Sequence, residues 1–210
     1  MHLHDRFAEF LSTSEIIEAT PALLNDQRRR FVSSPDIVLQ PNSVESVQKI
    51  MRFCFENRIR VTPQGGNTGL CGATVTTEGV LLNLSKLNRI RDINLADNSM
   101  TVEAGVILQN AQKAAAEAGR LFPLSLASEG SCQIGGNIAC NAGGLNVLRY
   151  GSMRDLVLGL EVVLPNGELV SHLQPLHKNT TGYDLRHLFI GSEGTLGIIT
   201  AATLKLFAQP

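Results

Sequence analysis

The sequence contains no apolar run close to the length of about 20 residues that a membrane-spanning helix needs. Its first residues, Met1–Arg6, are polar and include no apolar core of a secretory signal. From these two absences we expect a soluble protein without a membrane span that resides in the cytoplasm.

An excess of either charge is also absent. Lysine and arginine total 18 against 19 aspartate and glutamate residues, so the formal net charge is −1. A near-neutral chain has little electrostatic affinity for nucleic acid, and we expect no nucleic-acid partner. The one basic cluster, Arg28–Arg30, is more typical of a solvated helix end than of a recognition patch.

Cysteine and histidine are too few and too scattered for a disulfide framework or a zinc site. The four cysteines (Cys54, Cys71, Cys132 and Cys140) show no CxxC spacing, and the five histidines include no HxxxH pair. A disulfide scaffold and a bound metal are therefore not expected.

What the chain does contain, up to Leu84, is an alternation of short strands and helices. Ser12–Glu15 has the spacing of a capping box and predicts a helix that continues through Ile16 and Ile17. Ser43 predicts the start of a second helix, because the apolar residues after it recur at helical spacing. We predict strands at residues 36–39, 60–62 and 80–84.

A second set of elements, rich in hairpins, occupies the rest of the chain. We predict strands at residues 91–94, 99–103, 160–164, 168–170 and 198–206 and a helix at 109–118. Gly119 stands where a glycine ends a helix. The stretch from Ser125 to Gly151 shows little regular pattern, and a loop of that length is usually functional.

Pro63–Ala73 directly follows a predicted strand and has four glycines between Gly65 and Gly72. Glycine lets the backbone approach a ligand closely and adopt positive φ, so several N–H groups can point at one anion. The segment lacks the lysine of a P-loop, and no GxGxxG occurs at a strand-to-helix junction, which disfavours a P-loop or ordinary Rossmann site. Alone, it favours a phosphate ligand no more strongly than an unliganded turn.

Two further glycine-rich segments follow, at Gly130–Gly144 and Gly191–Ile199. Close packing of turns is an alternative explanation of each. Asn137 and Asn141 add amides that both donate and accept hydrogen bonds, which fits a ring edge rich in N–H and C=O groups. Three such segments, far apart in sequence, together indicate an extended, phosphate-bearing ligand between two subdomains.

These three segments, in this order, resemble the FAD-binding domain (PCMH type) of the p-cresol methylhydroxylase and vanillyl-alcohol oxidase superfamily. Within it, the chain most resembles the branch that includes D-2-hydroxyglutarate dehydrogenase, D-lactate dehydrogenase and the glycolate oxidase flavin subunit. The resemblance begins near Pro35 and rests on Pro63–Leu70, Gly130–Tyr150 and Asn179–Thr200.

The resemblance implies an α+β fold in which FAD lies between two α/β subdomains, at residues 35–88 and 89–210, after an N-terminal helical segment at residues 1–34. Backbone N–H groups of Gly65–Gly69 would hold the pyrophosphate, and Glu193 would lie near the ribityl, ribose or adenine part. The implied cofactor-binding residues are Pro63, Gly65, Gly66, Asn67, Thr68, Gly69, Leu70, Pro123, Leu124, Gly130, Ser131, Gly135, Gly136, Asn137, Asn141, Gly143, Glu193, Gly197 and Ile199.

The chain departs from its relatives in two respects. Relatives that attach FAD covalently often carry a histidine in the first glycine segment, where this chain has Asn67, so we expect non-covalent FAD. Cys132 lies near the cysteinyl–flavin position of some relatives, but in a different register. Members of this branch also continue with a substrate-binding cap domain that supplies the catalytic base; by resemblance that domain is absent, and no catalytic residue is expected in this chain.

By resemblance, the chain is the FAD domain of an oxidoreductase that transfers hydride from C2 of a D-2-hydroxy acid to flavin N5. One alternative is a non-catalytic FAD-binding subunit of a multi-chain, glycolate oxidase-like complex. Others are an oxidoreductase of the same fold with another substrate, and a nucleotide-binding module that does not use flavin. The substrate, the electron acceptor and a partner subunit or homo-oligomer stay open at this point.

Overall fold

Two β-sheets, each with helices packed against it, organise the chain in the computed structural model, which describes residues 2–210. The strands are β1 (Ile16–Ile17), β2 (Ile37–Leu39), β3 (Val61–Gln64), β4 (Val80–Asn83), β5 (Ile90–Asn94), β6 (Ser99–Glu103), β7 (Arg120–Leu121), β8 (Val157–Val163), β9 (Leu169–His172), β10 (Ile198–Lys205) and β11 (Phe207–Ala208). The α-helices are α1 (Leu3–Ala8), α2 (Pro21–Leu24), α3 (Val44–Glu56), α4 (Leu108–Glu117), α5 (Ile134–Ala139), α6 (Val147–Tyr150), α7 (Met153–Leu156) and α8 (Arg186–Phe189).

The first sheet has the strand order β1–β2–β4–β3, in which β2, β4 and β3 are parallel and β1 is an antiparallel edge strand. Helix α3 connects β2 to β3 across the sheet, because two parallel strands need a crossover. Parallel strands end at the same edge, and Gln64 and Asn83 are paired there. The first glycine-rich segment begins at this edge with Gly65.

Helix α3 begins where the sequence predicts. The Ser43 hydroxyl oxygen accepts a hydrogen bond from the backbone N–H of Ser46 at 3.1 Å, which satisfies one free donor of the first turn. Four apolar side chains of the helix are buried in the core of the first sheet: Val47, Ile50, Met51 and Cys54. Each such burial contributes roughly 1.5–3 kcal/mol before the cost of ordering the chain.

The second sheet, with the strand order β5–β6–β10–β8–β9, is antiparallel throughout. Both predicted hairpins form, as β5–β6 and β8–β9. This sheet has its own apolar core with α4, α5 and α7. Val163 and Ile198, at the ends of two of its strands, belong to the core of the first sheet, so the two halves pack against each other.

A buried ion-pair network crosses the second sheet. Glu103 is only 1% exposed and accepts hydrogen bonds from Arg89 at 2.8 Å and Arg91 at 3.3 Å, and Arg91 also pairs with Glu161 at 3.0 Å. Burial works against the charged form of Glu103, but the hydrogen bonds from Arg89 hold its pKa below the ordinary value. The network ties β5, β6 and β8 together.

Two expectations about local structure are wrong. Ser12–Glu15 opens only a single 3₁₀ turn, and Ile16–Ile17 pair with β2 as a strand instead of continuing a helix. Both residues are β-branched, and pairing with β2 gives their backbone hydrogen bonds at the sheet edge. The stretch from Ser125 to Gly151, predicted to be irregular, contains the short helices α5 and α6.

The longest helix of the described residues, α3, has 13 residues, and no helix between residues 2 and 210 is both long and apolar enough to cross a membrane. The boundaries expected for the subdomains, at residues 35–88 and 89–210, stay a prediction.

Candidate cofactor site

The three glycine-rich segments meet around one open cleft between the two sheets. We call residues 65–74 the first loop, residues 130–144 the second loop and residues 191–197 the third loop. Each of them contributes to the cleft wall. The predicted site residues that line it are Pro63, Gly65, Gly135, Gly136, Glu193, Gly197 and Ile199.

Several of the glycines are required where the loops pack against their surroundings. A Cβ atom on Gly66 would overlap the carbonyl oxygen of Ser131 in the second loop, and one on Gly194 would overlap Pro63. A Cβ atom on Gly135 would lie 2.6 Å from that of Ala104. These glycines hold the three loops in close contact, as the packing explanation of the sequence motifs requires.

Other glycines face open space. No atom lies within 4 Å of the place where Gly69 or Gly136 would carry a Cβ atom. Gly136 is part of the cleft wall, at the first turn of α5. Here the absence of a side chain leaves room for another molecule to approach the backbone.

The first loop presents a row of free backbone donors. Between residues 2 and 210, no acceptor receives a hydrogen bond from the backbone N–H of any of residues 65–74, and all ten carry an N–H. Most backbone donors in folded proteins are paired, so an unpaired run of this length indicates a site for water or for a ligand rich in acceptors. A diphosphate is such a ligand.

Each of the three loops also contains one residue with a strained backbone. Six non-glycine residues of the described chain have positive φ, and three of them are predicted site residues: Asn67 at 52°, Asn141 at 49° and Glu193 at 52°. One lies in each loop. This conformation costs on the order of 1 kcal/mol for a residue with a Cβ atom, and such strain is concentrated at ligand sites.

The asparagine side chains bond to protein groups. The Asn67 amide donates to the backbone carbonyl of Asn25 at 2.7 Å and accepts from the Thr74 hydroxyl at 2.8 Å. The Asn137 amide lies 3.5 Å from the Cys132 sulfur. The Asn141 side-chain oxygen accepts from the Arg154 N–H at 2.9 Å. Each of these amides therefore bonds to a protein group through at least one of its atoms, and the ring-edge role expected for Asn137 and Asn141 stays a prediction.

The remaining predicted residues lie outside the cleft wall. Pro123 and Leu124 are buried, and their carbonyl oxygens accept from Asn146 at 2.8 Å and Gln112 at 2.7 Å. Gly66 and Asn67 border a second cavity beside α2. Other predicted residues lie on the outer parts of the first and second loops: Thr68, Gly69, Leu70, Gly130, Ser131 and Gly143.

Sequence reasoning missed a polar network at the base of the first loop. Gln64 is 1% exposed, donates to the Leu23 carbonyl at 2.9 Å and accepts from the Asn83 amide at 3.2 Å. Asn83 also donates to the Gly65 carbonyl at 3.4 Å. The sequence does contain a signal for this network: an amide residue stands at the end of each of two buried parallel strands, and such strand ends meet at one edge of a sheet.

Gln133, just before α5, was also missed. Its side chain is 7% exposed, and Oε1 is the one buried side-chain polar atom of residues 2–210 that has no hydrogen-bond partner. Leaving such an acceptor unpaired costs about 1–3 kcal/mol. The oxygen lies 3.3 Å from the Cβ position of Gly65, beside the cleft.

Electrostatics distinguish the two ends of the cleft. Glu193 places a carboxylate in the wall of the cleft, beside Cys140. Burial, and then the negative charge of Glu193, raise the pKa of the Cys140 thiol. A carboxylate accepts hydrogen bonds and repels phosphate, so this end fits hydroxyl or amine donors, whereas the N–H groups of the first loop fit an anion.

The family model described as "FAD binding domain" matches residues 35–172, which include the first and second loops. This chain belongs to that family. The cofactor expected from the sequence, FAD, is thereby confirmed. The match leaves the mode of attachment and the individual contacts undecided.

Curated relatives are 41–48% identical to this FAD-binding domain over the residues that align. The D-2-hydroxyglutarate dehydrogenase of Xanthomonas citri pv. viticola is 48% identical over 88% of the chain and 39% of its own length. The mitochondrial enzyme of the same name from Danio rerio is 47% identical, over 88% and 35%. The D-2-hydroxyglutarate–pyruvate transhydrogenase of Saccharomyces cerevisiae is 41% identical, over 97% and 42%. The chain thus spans about two fifths of these relatives.

Among solved structures, an alkyldihydroxyacetonephosphate synthase superposes on 99% of the chain and 39% of its own with a TM-score of 0.84 at 20% identity. This similarity supports the fold alone. It confirms the α+β fold, and the curated relatives confirm the resemblance to the branch of D-2-hydroxyglutarate dehydrogenases.

The expected cytoplasmic location is wrong. Relatives from Danio rerio, Bos taurus and Arabidopsis thaliana are named as mitochondrial D-2-hydroxyglutarate dehydrogenases. The expectation rested on the absence of an apolar secretory segment. Mitochondrial transit peptides are amphipathic and rich in arginine and serine, so that absence does not separate cytoplasm from mitochondrion.

The described residues fit FAD on chemical grounds. The backbone N–H groups of the first loop have no protein acceptor within residues 2–210, and three of its residues, Gly65, Ala73 and Thr74, lie in the cleft wall, where Gly136 leaves open space. Glu193 supplies an acceptor in the cleft wall, and the buried Oε1 of Gln133, behind Gly65, is an unpaired acceptor next to that wall. These groups would bind and orient the cofactor, and none of them is assigned a chemical step.

Proposed function

We propose that this chain is the FAD-binding part of an oxidoreductase that oxidises D-2-hydroxy acids, with D-2-hydroxyglutarate as the first candidate substrate. The observation that supports cofactor binding in the cleft is the row of unpaired N–H donors of the first loop. The names of the relatives support the substrate. Bound FAD would supply the redox chemistry, while this chain holds and orients it.

The binding proposal is tested by adding FAD to the purified apoprotein. FAD at 100 times its Kd should raise the free energy of unfolding by about 2.7 kcal/mol, measured by thermal denaturation. NAD at the same concentration is the control: it shares the adenosine diphosphate part of FAD but lacks the flavin, so weaker stabilisation by NAD is expected. The proposal would be refuted if FAD at no concentration stabilised the protein and if the protein showed no flavin absorption after removal of free FAD.

We also propose that FAD is not covalently attached. Asn67, at the position where some relatives carry a histidine, directs its side chain to Ala22, Asn25 and Thr74 and has no nucleophilic atom. Acid precipitation of the holoprotein should therefore release all the flavin into the supernatant. A yellow pellet after washing would contradict this.

The substrate proposal concerns the whole protein and is tested by anaerobic bleaching of bound flavin. D-2-Hydroxyglutarate should reduce the flavin of the holoprotein faster than its L-enantiomer, D-lactate or glycolate. Faster reduction by glycolate would favour the glycolate oxidase branch.

A second candidate is an FAD-binding subunit that works with a partner chain. The observation that favours it is a set of strongly exposed apolar side chains on and near α6 and α8. Leu145 is 85% exposed, Leu148 101% and Tyr183 95%. If these side chains form one patch, a second chain or another part of the same protein would cover it. Flavin reduction only after a second chain is added would support this candidate.

A further inference from the structure

We propose that Gln133 positions the cofactor, its carboxamide oxygen accepting a hydrogen bond from a sugar-type hydroxyl group of FAD. The inference rests on FAD binding in the cleft, as proposed above. It adds a recognition contact at a residue that neither the sequence pattern nor the glycine motifs single out.

The first observation is that the Gln133 side chain does nothing for the fold. The residue stands at the N-cap of α5, where its backbone carbonyl accepts from the Asn137 N–H at 3.0 Å. Its side chain makes no capping bond, and Oε1 has no partner within residues 2–210 although it is buried. A side chain that served packing alone would be more stable here without the oxygen.

The second observation is the place of that oxygen. It lies 3.3 Å from the Cβ position of Gly65, and the backbone nitrogen of Gly136 lies 3.9 Å from the same point. Gly65 and Gly136 both line the cleft. Oε1 therefore lies where the first and second loops meet, directly behind two residues of the cleft wall, although Gln133 itself is not part of that wall.

The chemistry of the surroundings selects the kind of partner. The first loop offers only N–H donors along its unpaired backbone, which suits phosphate oxygens. An acceptor beside them repels a phosphate oxygen and requires a donor. FAD carries hydroxyl groups on both sides of its diphosphate, on the ribityl chain and on the ribose, and either set meets this requirement.

The test is the substitution Gln133→Met, which keeps the length of the side chain and removes its polar atoms. The Kd for FAD, measured by titration of flavin fluorescence, should rise about tenfold. The Tm of the apoprotein should rise by roughly 2–4 °C, because the unpaired acceptor is gone. A residue with a merely structural role would not shift affinity and stability in opposite directions.

Gln109→Met is the matched control, since Gln109 is exposed on α4 and is not part of the cleft wall. It should leave the Kd for FAD unchanged. Gln133→Leu is a second apolar variant, in case Gln133→Met does not fold.

Competition with fragments identifies the hydroxyl. If Gln133→Met weakens binding of FMN but not of ADP, the ribityl chain is the donor; the reverse result assigns the ribose. Equal FAD affinity of Gln133→Met and the unchanged protein would overturn the inference, as would a lower Tm of the apoprotein. If the unchanged protein itself fails to bind FAD, the proposed function fails instead, so the two outcomes are distinguishable.

Discussion

The first and second loops are both rich in glycine, yet their backbone donors differ. In the first loop, ten successive N–H groups have no protein acceptor between residues 2 and 210. In the second loop the backbone is largely paired: the Gly135 N–H donates to the Ala104 carbonyl at 2.7 Å and the Ala142 N–H to the Asn137 carbonyl at 2.9 Å. Composition alone does not separate a ligand loop from a packed turn, whereas the partners of the backbone donors do.

Within each loop, the glycines also differ in how closely they are packed. Gly66 and Gly135 stand where any Cβ atom would collide with neighbouring backbone or side chain, while Gly69 and Gly136 face open space. The packing explanation of the glycine motifs thus holds at Gly66 and Gly135, whereas the ligand explanation stays a proposal for the glycines that face open space. Alanine substitutions distinguish the two groups, because an added Cβ atom costs stability at the packed glycines but not at the open ones, and at Gly136 it enters the cleft.

The largest effect is expected at Gly66. In Gly66→Ala the new methyl group overlaps the Ser131 carbonyl oxygen, which is backbone and cannot swing away. The free energy of unfolding should fall by about 3 kcal/mol, measured by denaturant titration of the apoprotein. The paired variant Gly69→Ala meets no atom within 4 Å and should change it by less than about 1 kcal/mol. Equal loss of stability in both variants would remove the distinction within the first loop.

A smaller effect of the same kind is expected in the second loop. Gly135→Ala brings its Cβ atom to 2.6 Å from that of Ala104 and should destabilise the protein by about 2 kcal/mol. Gly136→Ala, one residue on, should stabilise the apoprotein by up to about 1 kcal/mol, because alanine is the better helix former in α5. It should also raise the Kd for FAD about tenfold, since its methyl group enters the cleft.

Stability and FAD affinity are measured on one preparation of each variant, by thermal denaturation without FAD and by fluorescence titration with FAD. If Gly136→Ala binds FAD as tightly as the unchanged protein, the ligand does not approach the backbone at the first turn of α5.

The smallest effect concerns thiol reactivity, and it compares the two loops directly. Cys140, at the end of α5 in the second loop, has its pKa raised by burial and by the Glu193 charge. A raised pKa lowers the thiolate fraction at a given pH, so alkylation by iodoacetamide should be slow at pH 8 and should rise about tenfold per pH unit until the pKa is passed. Mass spectrometry of the modified peptides measures the rate.

Both thiols are exposed, but Cys140 lines the cleft whereas Cys71, in the first loop, is not part of the cleft wall. Saturating FAD should therefore protect Cys140 from alkylation. A Cys140 rate that stops rising below pH 8, or that is unaffected by FAD, would contradict the place assigned to this thiol.

Much of the scaffold follows from local sequence. Ser43 and the helical spacing of apolar residues after it determine α3, and the turns at 96–98 and 165–167 determine the hairpins of the second sheet. These signals suffice because capping, turn geometry and amphipathic spacing act over a few residues. The three glycine motifs and their order were likewise enough to predict an FAD-binding domain.

Only the tertiary structure decided which residues make the site. Ile16–Ile17 became a strand because β2 lies beside them, and Asn137 and Asn141 turned to protein groups that are not their sequence neighbours. The unpaired oxygen of Gln133 could not be foreseen, since being unpaired depends on everything that packs around it. The sequence determines which hydrogen-bond donors and acceptors each residue carries. The packing of distant loops determines which of them find a partner inside the protein and which stay free for water or a ligand.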